Sequence, residues 1–520
     1  MARAGGRAGP STEMLVSAAL ATATLVLMAL AAWMRLYHLG VPFDRDSYDE
    51  GVYWQTLRAM AAGHGLYSPI FFSQPPAFML SIFPFYMMFG QTIWAARLAI
   101  VVISMIGVVG AYLLGRAFGG RLGGFVAVLL LFSDPYYLKM SRTLQAEGVA
   151  VPLSLMAVAL AYVWWEKPSG RAGRTLAVLA GATLSLSVMS KLLTVAAVVP
   201  IGLLVGGHLL RLHRRGQLPG TPQSRSLLAG LGAVTMASLL QIAPFAGDLG
   251  SLWQGVVEFH LRAAELYKSS QSENLADIMD FLRGSPTAYA ALCGVVAASL
   301  RKDGRVLPLI AWLVATLYIL WAQVPMFPHH LVAFTPVLVS LAVAGIGPVK
   351  FTGKSTSMPA ALGGAIVLLS ATLASIQDWQ AASRYLLAET LQANTDGEEW
   401  MRVADDLREA IGPTDLVITD SQFIAGLADR GVPPGLVDTS SVRITTGYLS
   451  VEQLVEEVSS PEVKAVLFYS GRLTRGEVAM FAQLVREQFY LLRRYGDRKE
   501  LWVKPGSRQG HQELGQGRSR

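Results

Sequence analysis

Asp49 and Glu50 stand side by side in "RDSYDEGVYW" (residues 45–54), with Asp46 just ahead of them. A carboxylate in such a place can take a proton from a reacting group, or simply favour the N-terminus of a helix. Further ionisable residues interrupt apolar sequence elsewhere. Lys139, Arg142 and Glu147 lie in "DPYYLKMSRTLQAE", Lys191 in "VMSKLLTV", and His329 and His330 in "PMFPHHLVAFTPVL". A single Lys at the end of an apolar run usually snorkels to the headgroups. Three cations on the same side of a membrane as an acidic loop instead make a site for an anionic group such as a phosphate.

The elements that carry these residues follow from composition. Of 520 residues, 52% are hydrophobic and 15% charged, with a mean hydropathy of +0.42. Soluble domains carry about 25% charged residues, so the chain is an integral membrane protein. Its net charge of +7 comes mostly from Lys and Arg in short loops between apolar runs. That is a topology signal and not a nucleic-acid surface. Cys293 is the only cysteine, which excludes a disulfide framework and a cysteine metal site.

Crossing the hydrocarbon takes about 20 apolar residues. Eleven runs of about that length or slightly less fall near 14–36, 93–115, 121–138, 144–165, 174–190, 192–210, 226–245, 286–300, 306–322, 331–348 and 359–377. The first is longer than the apolar core of a signal peptide and is read as an uncleaved span. The stretch 75–90 is short and marked by prolines, as expected of a juxtamembrane helix lying on the bilayer. If the spans alternate, Arg3, Arg7, Arg116, Arg121, Lys167, Arg171, Arg174, Arg211, Arg214, Arg215, Arg225, Arg301, Lys302, Arg305, Lys350 and Lys354 share one side. The positive-inside rule makes that side cytoplasmic. The N-terminus is then inside, and the acidic loop and the C-terminal region are extracytoplasmic.

The expected organisation is a cytoplasmic tail (1–12), a polytopic α-helical membrane domain (13–378), a small soluble α/β domain (395–505) and a disordered tail (506–520). The membrane domain carries external loops at 37–92 and 246–285, the second including an amphipathic surface helix at 253–275. In the soluble part, "DLVITD", "VKAVLFY" and "ELWVKP" read as strands and 476–489 as a helix. No Gly-rich phosphate loop follows those strands, so a nucleotide site is not supported. A cap over the active site is the expected role.

The segment 49–98, "DEGVYWQTLRAMAAGHGLYSPIFFSQPPAFMLSIFPFYMMFGQTIWAARL", resembles the first external loop of GT-C membrane glycosyltransferases. It is most similar to the branch that holds the protein O-mannosyltransferase-like enzymes (glycosyltransferase family 39) and the lipid A aminoarabinose transferases. The resemblance rests on the Asp49–Glu50 pair with Tyr53, an element from Gly63 to Tyr67, Pro75–Pro76, "SRTLQAE", "LSVMSKLLTV" and "PMFPHHLVAFTPVL". It spans roughly residues 14–378. It implies an inverting enzyme that moves a sugar from a polyprenyl-phosphate carrier to a hydroxyl of a glycan, lipid or protein acceptor, on the outer face of the cell membrane.

By the same resemblance Asp49 is the general base, Glu50 orients the loop and Tyr53 belongs to the substrate site. Arg142, then Lys191, would stabilise the leaving phosphate. His329 and His330 would contact phosphate or sugar. Glu147 would anchor Arg142, bind acceptor or form a structural salt bridge. Some relatives hold a divalent ion with an acid just before the proline helix, but Gln74 stands there, so no clear metal ligand set is present. A transporter or lipid-linked-sugar flippase is the competing class. Transporters tend to place ionisable residues near the midplane and in repeated halves, whereas here they collect at outer span ends without a repeat. The topology makes a direct prediction: a cysteine placed at Ser47 reacts with an impermeant thiol reagent in intact cells, and one placed at Ser169 does not. The reverse pattern contradicts the orientation.

Overall fold

A computed structural model describes residues 12–41, 48–215, 221–267, 271–347 and 358–506. Asp44, Asp46 and the two expected tails, apart from Thr12 and Gly506, lie outside the described residues. Helix α1 (Thr12–Leu36) is followed by α2 (Tyr48–Ala61), α3 (Ala77–Met88), α4 (Ile93–Ser133), α5 (Pro135–Met140), α6 (Glu147–Glu166) and α7 (Gly170–Val188). Among the described residues, seven helices are long and apolar enough to cross a membrane. Shorter apolar helices include α3, Pro286–Leu300 and Pro328–Ala344.

Helix α4 is a hairpin and not one rod. Residues eight apart in a straight helix are about 12 Å apart, yet a Cβ on Gly115 would lie 2.3 Å from the Gly123 carbonyl oxygen. The chain reverses at Gly119 and Gly120, where φ at Gly120 is +61°, a conformation that glycine adopts without a Cβ penalty. The 41-residue helix therefore contains the run expected at 93–115 and most of that expected at 121–138, whose end lies in α5.

Burial separates a scaffold from a lipid-facing shell. Helix α6 is largely enclosed, whereas Pro222–Phe245 turns Leu228, Leu231, Leu239 and Leu240 outward. Exposed leucines in that number fit an apolar solvent. Phe118, Tyr162, Trp312 and Phe334 fill the interior of the membrane part.

The last apolar helix does not end at the change in composition near Thr395. It runs unbroken from Met358 to Ala410, 53 residues, into the soluble part. There β1 (Leu416–Thr419), β2 (Val463–Phe468), β3 (Tyr490–Gly496) and β4 (Lys499–Val503) form one sheet in the order β1-β2-β4-β3. The β1–β2 pair is parallel and the other two pairs are antiparallel. Alternate residues point to opposite faces of a strand, and here both faces are covered. Ile418, Val466, Phe468 and Trp502 pack against the domain's own helices. Val417, Ala465, Leu467 and Leu501 join Trp54, Leu57 and Phe78 of α2 and α3 in a second core. The soluble part thus shares its interior with the first external loop.

Candidate active site

Asp49 and Glu50 occupy the first turn of α2, where the positive end of the helix dipole favours negative charge. Neighbouring positions on a helix point about 100° apart, so the two carboxylates have different surroundings. Glu50 turns inward and is 1% exposed. It forms a two-point ion pair with Arg97 of α4, with Nε to Oε1 at 2.9 Å and Nη2 to Oε2 at 2.6 Å. The Leu144 amide also donates to Oε1, at 2.6 Å. Arg97 Nη1 in turn donates to the carbonyls of Leu39 and Val41, 3.0 and 2.6 Å away. One ion pair joins α2, α4, the strand leaving α1 and the turn before α6.

Asp49 is half-buried and faces His329, Lys191, Glu147 and Asp438. Burial pushes its carboxyl above the usual aspartate range, and the neighbouring His329 and Lys191 side chains oppose that shift. Tyr53, one turn along α2, packs its ring on Phe72 and Phe78. Burial, followed by the charges of Asp49, Glu147 and Asp438, pushes its phenol well above the ordinary tyrosine value, so it stays a neutral donor.

Glu147 begins α6 and is 1% exposed. Lys191 Nζ lies 3.1 Å from its Oε1, with His330 Nε2 at 3.6 Å and His329 Nε2 at 3.8 Å. The folding of three distant segments thus gathers five of the predicted residues with Asp49: Tyr53, Glu147, Lys191, His329 and His330.

Comparison with known proteins bears on what such an arrangement belongs to. Residues 73–221 match the family model described as dolichyl-phosphate-mannose-protein mannosyltransferase. No curated protein matches the sequence. Among solved structures the chain is similar to ArnT from Cupriavidus metallidurans in the apo state, with a TM-score of 0.65 and 15% identity over 93% of this chain and 98% of that one. It is also similar to the same protein bound to undecaprenyl phosphate, with a TM-score of 0.65 and 14% identity over 95% and 98% of the two chains.

The fold is that of a GT-C membrane glycosyltransferase. Within this GT-C fold Arg142 stands apart from the cluster around Glu147. It is buried, donating to the Met34 carbonyl, to the Tyr37 carbonyl at 2.8 Å and to Glu389 Oε2 at 3.4 Å. Of the roles left open for Glu147, the structure shows a salt bridge, with Lys191, and not the anchoring of Arg142, which pairs with Glu389. The turn between α5 and α6 separates the two, because its Leu144 amide is drawn to Glu50 while Arg142 reaches back to the end of α1.

Glu147, His329 and His330 have ligand atoms within 4.8 Å of one another, a spacing that could hold a metal ion. The proton positions argue against it. The Phe327 backbone N–H donates to His330 Nδ1 at 3.2 Å, so the ring proton sits on Nε2, the atom facing Glu147. A metal ligand needs a lone pair there. Lys191 already holds the same carboxylate oxygen. Gln74 brings no acid: its backbone carbonyl accepts from Tyr67 at 2.8 Å and its amide lies 3.5 Å from Ser73 Oγ. The donor set fits an anion or a proton transfer better than a cation.

Sequence reasoning missed Arg97 and Asp438. Arg97 had a readable signal, a charge inside an apolar run, which normally requires a partner. Asp438 had none, lying nearly 400 residues from the helix that it meets through Tyr48. The Glu50–Arg97 pair makes its own prediction. Removing one partner of a buried ion pair costs about 3–5 kcal/mol. Glu50→Gln should therefore lower the thermal unfolding midpoint of the detergent-solubilised protein markedly, as measured by a fluorescence melt. A midpoint equal to wild type contradicts a structural role for Glu50.

Proposed function

We propose that this protein transfers a sugar from a polyprenyl-phosphate carrier to a hydroxyl acceptor, with inversion, on the extracytoplasmic side of the membrane. The observation that carries the reading is the gathering of Lys191, His329 and His330 around Glu147, with Asp49 beside them. The likeness to a protein solved with undecaprenyl phosphate supports a polyprenyl-linked donor.

The steps follow from these groups. The acceptor hydroxyl gives its proton to Asp49 as its oxygen attacks the anomeric carbon. The bond from that carbon to the phosphate oxygen breaks on the opposite face, which inverts the configuration. The phosphate leaves with the electron pair, and its growing negative charge is stabilised by Lys191, His329 and the His330 Nε2 proton. The Glu147 carboxylate lies within 3.8 Å of all three groups. Burial keeps the Asp49 carboxyl more basic than an exposed aspartate, which favours proton uptake. Arg142 adds positive charge behind the loop, while its nitrogens hold the end of α1. A transporter reading lacks comparable support, since the ionisable groups gather at one face and not along a path through the bilayer.

Asp49→Asn keeps the shape and one acceptor oxygen but cannot take a proton at neutral pH. Loss of a general base costs roughly 10²–10⁴-fold in rate. Turnover of a polyprenyl-phosphate sugar by purified Asp49→Asn protein in lipid should fall by that factor, with donor binding retained. If Asp49→Asn turns over at the wild-type rate while Glu50→Gln is inactive, the base has been assigned to the wrong member of the pair.

A further inference from the structure

In an open α/β sheet, a ligand usually occupies the crevice beyond the carboxyl ends of the parallel strands. In this soluble domain Tyr48 of α2 occupies that place. Its hydroxyl accepts the Thr439 N–H at 2.7 Å and donates to Asp438 Oδ1 at 3.0 Å. Its ring lies 3.9 Å from the Arg472 guanidinium carbon. Thr439 is tied by its hydroxyl to the carbonyl of Thr419, the last residue of β1, at 3.2 Å, and receives Gln422 Nε2 at 2.8 Å. Arg472, from the loop after β2, is held by Ser470 Oγ at 3.0 Å. The ends of both parallel strands are thereby closed on one tyrosine, and the next residue is Asp49.

The contact continues along α2 at helical spacing. A Cβ on Gly51 would lie 2.4 Å from the Phe423 amide nitrogen. Gln55 Nε2 donates to the carbonyls of Gln422 and Arg430, at 3.3 and 3.0 Å. Arg58 closes the far end on Asp429 at 2.6 Å. Residues 48, 51, 55 and 58 share one face of the helix, and that face belongs to the soluble domain.

We propose that the soluble domain is a working part of the active site: its Asp438–Thr439 latch on Tyr48 positions Asp49, and the Asp438 carboxylate sets the charge beside it. Tyr48 and Asp438 are positioning residues, acting through Asp49. The proposal rests on the glycosyl-transfer reading for its kinetic consequences but not for its mechanical one. Besides Asp438, the groups that face Asp49 are His329 and Lys191, which lower its proton affinity, and Glu147, which raises it. Tyr53 lies on its own helix. Asp438 acts in the raising sense, so its loss lets Asp49 remain a base to lower pH.

Two substitutions test this. Tyr48→Phe keeps the ring against Arg472 and removes the hydroxyl. Losing hydrogen bonds that include one to a carboxylate should lower kcat roughly tenfold, with KM for the donor unchanged. Hydrogen–deuterium exchange of residues 48–61 should quicken. Asp438→Asn keeps an acceptor for Tyr48 and removes the charge; the acidic limb of its kcat/KM profile should move to lower pH. Unchanged exchange in Tyr48→Phe, or an unmoved acidic limb in Asp438→Asn, overturns the proposal. Exchange is read without turnover. If the wild-type protein transfers no sugar, the transfer reading fails, and the exchange result still decides the latch.

Discussion

The buried ion pair between Glu50 and Arg97 is the joint around which the candidate site of this molecule is built. Both groups are almost wholly removed from water, so each needs the other and its further hydrogen bonds to offset the loss of hydration. Those further bonds reach the segment leaving α1 and the turn that opens α6. The first turn of α2 is thereby fixed in rotation. Once Glu50 is committed inward, helical geometry directs Asp49 into the cleft. The adjacent acids have separate tasks because one has a buried partner and the other faces the cleft.

The same helix is held from its other side by the soluble domain, through the shared core and the hydrogen bonds at Tyr48, Gln55 and Arg58. A reactive carboxylate at a membrane surface is exposed to two competing environments, water and headgroups. Asp49 is half-buried between span ends and the C-terminal domain, and partial removal from water strengthens the electrostatic effect of nearby Lys191 and Glu147. Continuous helix from Met358 to Ala410 gives the domain a rigid connection to the bundle.

Much of this was legible from the residues. Apolar run length disclosed a polytopic helical membrane protein, and the separate runs at 93–115 and 121–138 anticipated two helices where the chain turns at Gly119 and Gly120. The alternating pattern in the C-terminal part disclosed a small parallel-containing sheet. Lys191 stood out as a charge at a span end, whereas the Asp49–Glu50 pair and the two histidines were singled out by the family resemblance. The partners were harder to read. Arg142 and Lys191 look alike in sequence, each a cation after an apolar run. Which of them meets Glu147 depends on how the turn at Leu144 is drawn onto Glu50, a contact between distant segments. The boundary near Thr395 follows charge content, whereas the helix continues through it because helical hydrogen bonding does not depend on hydropathy. Asp438 was invisible, since an acid in a polar loop carries no local mark of the helix it will meet.

The central claim is that the outer-face cluster performs sugar transfer from a lipid carrier. The most direct measurement is incubation of the purified full-length protein in lipid with a panel of radiolabelled polyprenyl-phosphate sugars, with separation of the sugar from its carrier. Release of sugar from at least one donor, by hydrolysis or by transfer to a hydroxyl acceptor, is the predicted result. Intact donors throughout the panel, with the same lipid-linked sugars carried from one leaflet to the other by the protein, would contradict it and point to a transporter.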